Sequence, residues 1–245
     1  MSENKGIQSL ERAFAIIEAM ADNHEIGVTE LAKATGLNKT TVFRMLDTLV
    51  NLGYVSRDGK TEKYSLTLKF LKISSEQLAS YDIHKKMHPI LKQIADESGE
   101  TVHLVERQGE QVVYIDKCES TTNSVRMVSR IGMTLDVFTT AVGKAMLATL
   151  TNKEICRLWE SCPHSKKTEF TITDVNEYLK EIETVRLSGY ATDDEENELG
   201  VRCVAVAIPD AYSEYKYAVS ISAPKIRTDD ETLKARAKML KKILG

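Results

Sequence analysis

A polar and cationic face lies along one short segment of the chain, between residues 39 and 47. At helical spacing this face holds Lys39, Thr40, Phe43, Arg44 and Asp47, and the opposite face holds Val42, Leu46 and Leu49. The guanidinium of Arg44 could donate two hydrogen bonds to a guanine, and Thr40 or Thr41 could contact a base or a phosphate. Phe43 suits contact with a thymine methyl group or a sugar. The face therefore has the chemistry of a helix that reads the major groove of DNA.

A second group of cations follows around Asp58-Gly59, a dipeptide typical of a tight turn between two strands. Arg57, Lys60 and Lys63 would lie near the tip of this hairpin, where a basic wing contacts the phosphate backbone. Residues 39–63 hold five basic and three acidic side chains, a modest local excess. The alternative is a small helical domain with a solvated charged face, which a helix-turn-helix pattern alone does not exclude.

Hydroxyl and carboxyl groups in the second half of the chain suit a polar ligand. Ser220 and Ser222 are two apart in a predicted strand and therefore share one face. The segment 139–143 opens a predicted helix, whose first amide groups favour a carboxylate. Asp193 could accept hydrogen bonds from ligand hydroxyls. Each feature also has a plainer interpretation: ordinary strand polarity for the serines, and a solvated acidic loop for residues 193–196.

Nucleophilic catalysis is an alternative that the residue types leave open. Cys203 could act as a nucleophile with His103 as its base, although a packed core thiol is the more usual role of a cysteine. No Gly-x-Ser-x-Gly or phosphate-loop pattern occurs, and we find no zinc-ligand spacing among His24, His84, His88, His103 and His164. Cys162-Pro163-His164 could form half of a metal site, but no partner pair has ligand spacing. We therefore predict no catalytic residue, no metal and no cofactor.

A third possibility is a scaffold that uses its N-terminal domain for protein contacts. DNA binding with steep salt dependence would exclude the scaffold, because that dependence comes from released counterions. Turnover that is lost on Cys203→Ala would instead support the enzyme.

Helical periodicity and turn residues predict three helices and a hairpin in the first 66 residues. Apolar residues in the range 10–20 recur at helical spacing. A short helix at 29–35 ends at Gly36, and Asn38 caps the helix that carries the polar face and runs to about residue 51. The amphipathic segment 68–81 predicts a linker helix.

The residues beyond this segment predict an α+β domain. Its predicted helices are 89–98, 140–150, 152–161, 175–187 and a C-terminal helix, and its predicted strands are 101–107, 111–117, 125–130, 203–208 and 216–223.

Composition sets wider limits. A length of 245 residues suits two domains, and a net charge of −3 means that any DNA-binding surface must be a local basic patch. The N-terminus does not read as a secretory signal, and no apolar run approaches the roughly 20 residues of a membrane span. With four scattered cysteines, this predicts a cytoplasmic protein with reduced thiols and no membrane contact.

Longer motifs run through both halves of the chain. The first half contains IQSLERAFAIIEAM, VTELAKATGLNKTTVFRML and LVNLGYVSRDGKTEKYSLTLK, and the second half contains SGETVHL, VVYIDKCES, RMVSRIG, TAVGKAMLA, GYATDDEENELGVRC and VSISAPKIR. On these motifs nearly the whole chain resembles the isocitrate lyase regulator (IclR) family of bacterial transcription regulators. The motifs are most similar to those of family members that regulate pectin and hexuronate breakdown and respond to 2-keto-3-deoxygluconate.

The resemblance implies an architecture and a function. The expected parts are a winged helix-turn-helix domain at 1–67, a linker helix at 68–82, and a GAF-like effector domain with a curved antiparallel sheet at 83–245. The expected function is a repressor that binds a palindromic operator as a homodimer or tetramer and is controlled by a small organic acid, such as a sugar-derived keto acid. The DNA contacts would come from Asn38, Lys39, Thr40, Thr41, Phe43, Arg44, Arg57, Lys60 and Lys63.

The family motifs also imply which residues line the effector pocket. Carried over position by position, they are Met127, Ala141, Val142, Asp193, Val201, Cys203, Ser220 and Ser222. The chain departs from the family near this pocket: Asp136 stands where a proline is common, Ala223 stands where a glycine is common, and the loop at 121–124 is longer.

Overall fold

The first of two compact units contains the helix-helix-helix-hairpin order expected from the sequence. The structure is a computed structural model that describes residues 6–80, 82–119, 123, 127–162, 165–208 and 216–245. The two units are residues 1–80 and 81–245. The first contains α1 (Gln8–Ala21), α2 (Val28–Thr35), α3 (Lys39–Asn51), β1 (Val55–Arg57), β2 (Tyr64–Leu66) and α4 (Lys69–Ser80). The predicted linker helix is thus α4, and it belongs to the first unit.

Apolar side chains from the three helices and the hairpin form the core of the first unit. Its buried members are Ile16, Met20, Ile26, Leu31, Val42, Leu46, Leu49, Val55 and Tyr64. Burying each large apolar side chain contributes roughly 1.5–3 kcal/mol. Gly36 makes the turn between α2 and α3 with φ of 69°, a value that glycine adopts without strain. The core therefore fixes one face of α3 and leaves the other in solvent.

The second unit is built on one six-stranded antiparallel sheet in the order β5-β4-β3-β8-β7-β6. Its elements are α5 (Asp82–Ser98), β3 (Thr101–Gln108), β4 (Gln111–Cys118), β5 (Thr134–Asp136), α6 (Ala141–Leu147), α7 (Asn152–Ser161), α8 (Val175–Ser188), β6 (Ala191–Asp194), β7 (Val201–Ile208), β8 (Tyr217–Pro224) and α9 (Asp230–Leu244). Helix α6 packs on one face of the sheet, and α5 and α9 pack on the other. The predicted α+β class with a curved antiparallel sheet is confirmed. None of the described helices is long and apolar enough to cross a membrane.

A β-bulge in β4 decides which side chains face α6 and which face α5. Asp116 pairs with Leu104 and Tyr114 pairs with Val105, so Ile115 is an extra residue without a partner. An extra residue shifts the alternation of side chains by one position. Tyr114 and Asp116 therefore point to opposite faces, although they are only two residues apart.

Several predicted elements differ from the observed ones. Helix α5 begins at Asp82 rather than near Pro89, because proline inside a helix costs a hydrogen bond but does not end the helix when packing holds both sides. Helix α6 ends at Leu147 rather than at residue 150. Within the predicted strand 125–130, residues 127–130 are not a strand, and residues 125 and 126 lie outside the described part of the chain. Strands β5 and β6 were not predicted, because each is short and carries aspartates that are rare in strands.

Gly143 lies where α6 packs closely against the backbone of Val137. A Cβ atom at this position would overlap the backbone carbonyl of Val137. Glycine normally weakens a helix by about 1 kcal/mol relative to alanine. Here we expect Gly143→Ala to destabilise the second unit by about 3 kcal/mol, the upper end of the usual overpacking penalty, because the clash is with backbone. Urea unfolding followed by fluorescence of Trp159, the one tryptophan, measures it.

Gly59→Ala is the matched control for this variant, because a Cβ atom at Gly59 would meet no atom within 4 Å. It should leave the Trp159 transition unchanged. A Gly143→Ala protein that is as stable as the wild type at the same protein concentration would show that α6 does not pack as described.

Candidate functional site

Helix α3 presents its polar face to solvent on a firmly capped start. The side chain of Asn38 accepts a hydrogen bond of 2.8 Å from the amide of Thr41, which satisfies one of the amides that a helix start leaves unpaired. Lys39, Thr40, Phe43 and Arg44 are exposed, whereas Thr41 is half-buried. The structure therefore brings the predicted base-reading side chains together at the N-terminal end of one helix.

The hairpin between β1 and β2 carries the other predicted cations on a loop organised by Asp58. One carboxylate oxygen of Asp58 accepts hydrogen bonds of 2.7 Å from the amides of both Lys60 and Thr61. These bonds hold the pKa of Asp58 below its ordinary value. Lys60 and Lys63 have exposed side chains. They are thus presented on an ordered loop rather than on a loose one.

Arg57 differs from the two lysines, because its guanidinium already has partners. It pairs with Glu62 and lies 5.7 Å from the ring centre of Tyr64. A DNA phosphate that pairs with Arg57 would therefore share its guanidinium with Glu62 or displace Glu62. Sequence reasoning did not anticipate this pairing, in which Glu62 has a left-handed backbone conformation with φ of 59°.

A cavity of about 370 Å³ lies in the second unit between α6 and the sheet. All eight residues that the family motifs imply line it: Met127, Ala141, Val142, Asp193, Val201, Cys203, Ser220 and Ser222. Thr140, from the segment that was predicted to favour a carboxylate, also lines the cavity. The lining residues that sequence reasoning did not assign to the cavity are His103, Tyr114, Val128, Ser129, Arg130, Met133, Leu135, Asn197 and Glu198.

His103 connects the polar groups of the cavity wall. Its Nε2 atom lies 2.7 Å from the hydroxyl of Ser129, and its Nδ1 atom lies 3.4 Å from the hydroxyl of Ser222 and 3.5 Å from that of Ser220. Burial, with a contribution from the charge of Lys117, lowers the pKa of His103 to about 3. The imidazole is therefore neutral at physiological pH, so one ring nitrogen donates and the other accepts. No local sequence pattern indicated this role, because the pairing of His103 with Ser220 depends on the register of β3 and β8.

Cys203 lies in the same wall but in the wrong state for a nucleophile. Its thiol donates a hydrogen bond of 3.2 Å to the hydroxyl of Ser222. Burial, with a contribution from Asp193, raises the pKa of the thiol far above its ordinary value. Only a thiolate is a strong nucleophile. The alternative of Cys203 with His103 as its base therefore lacks both a thiolate and a base that can accept a proton near neutral pH.

Asp193 brings the one buried carboxyl group to the described part of the cavity wall. Its Oδ1 atom accepts hydrogen bonds from the amides of Glu196 and Asn197, at 2.8 and 3.4 Å, and so shapes the turn that follows β6. Burial, with a contribution from the charge of Glu196, raises the pKa of Asp193 to about 7. This carboxyl group therefore changes its charge within the physiological pH range.

A buried lysine behind the cavity holds this turn against α6. Lys144 is fully buried, and its ammonium donates hydrogen bonds to Glu196 and, at 3.0 Å, to the carbonyl of Thr192. Burial raises the pKa of Glu196, although the charge of Lys144 opposes that effect. Thr139 adds a hydrogen bond of 3.3 Å to the side chain of Asn197. The two walls of the cavity are thus joined by polar contacts.

Among the described residues, one group of metal-ligand side chains comes together, and it lies away from the cavity. It consists of His84, His88 and Asp116. Of the segment Cys162-Pro163-His164, which the sequence analysis considered as half of a metal site, residues 163 and 164 lie outside the described part of the chain.

Two family models match the chain. The IclR helix-turn-helix domain matches residues 9–59, and the bacterial transcriptional regulator IclR C-terminal domain matches residues 75–244. The chain belongs to the IclR family. The family membership predicted from the sequence motifs is thereby confirmed.

Known members of the family match over nearly the whole chain. The HTH-type transcriptional regulator KdgR of Escherichia coli (strain K12) is 36% identical over 96% of this chain and 89% of its own length. The transcriptional repressor IclR of the same organism is 32% identical over 96% of this chain and 87% of its own length. The crystal structure of Thermotoga maritima IclR covers 98% of this chain and 96% of its own, with 33% identity and a TM-score of 0.79.

This IclR-family protein is a DNA-binding transcription regulator with an effector-binding C-terminal domain. Its relatives are transcription regulators rather than enzymes. The helix-turn-helix match includes α3, which carries Arg44 on its exposed face.

We expect Arg44→Ala to weaken binding to an operator fragment by about 1–3 kcal/mol and to blur the preference between operator variants, because a bidentate base contact is lost. Fluorescence anisotropy with an operator selected from genomic DNA measures both effects.

Lys60→Ala is the matched comparison, because its lysine is expected to contact phosphate. It should weaken binding to all sequences about equally. It should also reduce by about one unit the slope of the logarithm of the binding constant against the logarithm of the salt concentration. If Arg44→Ala kept the wild-type preference between operator variants, Arg44 would not read a base.

Proposed function

We propose that this IclR-family protein is a cytoplasmic repressor that binds a palindromic operator as a homodimer or tetramer. A small organic acid of the sugar-derived keto acid class, such as 2-keto-3-deoxygluconate, binds in the cavity beside α6 and changes operator affinity. The DNA contacts come from Asn38, Lys39, Thr40, Thr41, Phe43, Arg44, Arg57, Lys60 and Lys63. The observation that carries the proposal is the uncharged polar wall of the cavity, formed by Ser220, Ser222 and His103.

The shape and polarity of the cavity suit such a ligand. A volume of about 370 Å³ is at the small end of the range for ligand sites, which fits a compact acid rather than a nucleotide. The two serines and the neutral His103 offer donors and acceptors to ligand hydroxyl or keto groups. Each such hydrogen bond contributes about 0.5–1.5 kcal/mol net, which is enough for selection among similar small acids.

Arg130 supplies a positive charge for a carboxylate at the rim of the cavity, where Glu198 supplies a negative one. Arg130 lines the cavity with an exposed side chain, and the amides of Ala141 and Val142 precede the first backbone hydrogen bond of α6, which Lys144 donates. Only the ionised form of Asp193 opposes an anion. Because the pKa of Asp193 is about 7, part of this carboxyl group is protonated near neutral pH. The proposed ligand therefore places its carboxylate toward Arg130 and α6, and its hydroxyls toward the serines.

Control of transcription requires that the ligand bind one DNA-binding state better than another, since a ligand with equal affinity for both shifts nothing. The coupling is also reciprocal: operator DNA must change ligand affinity by the same factor. The names of two relatives, transcriptional repressor IclR and DNA-binding transcriptional repressor YiaJ, support repression as the output.

Calorimetry of 2-keto-3-deoxygluconate with and without operator tests the proposal. We expect ligand affinity to change several-fold when the operator is bound. The double variant Ser220→Ala/Ser222→Ala should lose most of the ligand affinity, because at least two hydrogen bonds disappear. Ser161→Ala, at the exposed end of α7, is the matched control and should bind the ligand as the wild type does.

Two results would contradict this proposal in different ways. Equal ligand affinity with and without operator would reject control of DNA binding through this ligand. Undiminished ligand binding by the double variant would place the ligand outside the cavity.

The pKa of Asp193 generates a separate expectation about pH. From pH 6 to pH 8 this carboxyl group passes from mostly protonated to mostly ionised. An anionic ligand that binds only beside the protonated form should therefore bind about tenfold more weakly at pH 8 than at pH 6. Asp193→Asn, which is neutral at both pH values, should show little dependence on pH.

Asp194→Asn is the control for this expectation, because its carboxylate pairs with Arg202 at 2.9 Å instead of lining the cavity. It should keep the wild-type dependence on pH. If the ligand affinity of Asp193→Asn falls between pH 6 and pH 8 as that of the wild type does, a group other than Asp193 causes the dependence on pH.

A further inference from the structure

A compact cluster of metal-ligand side chains joins the start of α5 to β4. His84 and His88 are four residues apart on α5 and so project from the same side of the helix. Sequence analysis found no zinc-ligand spacing and missed this pair, because the helix was expected to begin only near Pro89. Asp116 faces the pair from β4, on the side of the sheet that the bulge at Ile115 assigns to α5.

The three ligand atoms lie within 4.8 Å of one another. The Oδ2 atom of Asp116 lies 2.8 Å from Nδ1 of His88 and 3.6 Å from Nε2 of His84. In a tetrahedral zinc site, with bonds of about 2.0–2.2 Å, neighbouring ligand atoms lie about 3.3–3.6 Å apart. The separation of 3.6 Å falls within this range, and the separation of 2.8 Å is shorter. Small side-chain rotations would therefore admit an ion without moving the backbone.

Asp116 has its hydrogen bonds without His84, so hydrogen bonding to the buried carboxylate does not explain the second histidine. The Asp116 side chain is only 3% exposed, its Oδ1 atom already accepts a hydrogen bond of 2.8 Å from the amide of Lys117, and its Oδ2 atom accepts one from His88. The second histidine adds no normal hydrogen bond at 3.6 Å. Its ring stacks on that of His88 with centroids 5.8 Å apart, so that two imidazoles lie side by side next to the carboxylate.

We propose that His84, His88 and Asp116 bind one divalent ion of the zinc class and thereby fix the first two turns of α5 to β4. Two imidazoles and one carboxylate are ligands typical of zinc, and a histidine pair at i and i+4 on a helix is a common source of the first two. The side chains of His84 and His88 are 25% and 51% exposed, so the ion can enter and a water can complete the tetrahedron.

The position in the fold gives the ion a structural consequence. Pro89 follows directly after His88 and removes one backbone hydrogen bond from this part of α5. The ion adds a cross-link where the helix has lost that bond. The site lies on the opposite face of the sheet from the cavity beside α6, so the ion and the organic acid do not compete for the same side chains.

Calorimetry with zinc chloride on the untagged full chain, after dialysis against a chelator, tests the proposal. We expect one zinc ion per chain. In His84→Gln/His88→Gln the dissociation constant should rise by roughly 100-fold or more, since removing even an outer partner of a ligand costs 10–100-fold. His24→Gln, an exposed histidine of the first unit, and Cys203→Ser, in the cavity, should bind zinc as the wild type does. Magnesium chloride should not bind, because Mg²⁺ prefers oxygen ligands.

Amide hydrogen exchange measures whether zinc stabilises the start of α5. Zinc should slow amide exchange in residues 82–91 of the wild type and leave it unchanged in the double variant. Zinc binding that survives in His84→Gln/His88→Gln, or that disappears in Cys203→Ser, would overturn the proposal. Loss of zinc binding has no bearing on ligand binding in the cavity, so the two proposals fail separately.

Discussion

A buried ion pair between Lys144 and Glu196 holds together the two walls on which the cavity depends. Lys144 belongs to α6, and Glu196 belongs to the turn after β6. Taking a charge out of water is so costly that removing one partner of a buried pair destabilises a protein by about 3–5 kcal/mol. Separating the start of α6 from the turn carrying Asp193 would therefore leave the buried Glu196 without its partner, while Lys144 would keep Glu181 at 3.4 Å. The pair constrains where the ligand-binding groups can lie.

The same constraint explains why the buried polar groups of the cavity wall are neutral or easily neutralised, whereas Arg130 and Glu198 line the cavity with exposed side chains. With one ion pair already buried, further fixed charges would add desolvation cost. His103 is held neutral, the Cys203 thiol is held neutral, and Asp193 titrates near pH 7. The wall can thus recognise hydroxyl groups by hydrogen bonding, while one carboxyl group adjusts its charge to the ligand.

The sequence predicted the order of elements in the first unit, the polar face of α3 and, through family motifs, eight residues that the structure brings to one cavity. It did not predict what depends on side chains meeting across the fold. His103 was considered only as a catalytic base, because its partners Ser129 and Ser222 are far away in the chain. His84 and His88 were missed because Pro89 was taken as the start of α5. The bulge that separates Asp116 from the cavity leaves no signal in the local pattern of β4.

A crystal structure of the protein grown with 2-keto-3-deoxygluconate tests the central claim most directly, because that claim concerns where a small acid binds. We expect electron density for one acid per chain inside the cavity, with hydroxyl groups against Ser220 and Ser222 and the carboxylate toward Arg130 and α6. Lys144 and Glu196 should remain paired behind it. Density for the acid at any other place, with the cavity occupied only by water, would contradict this account.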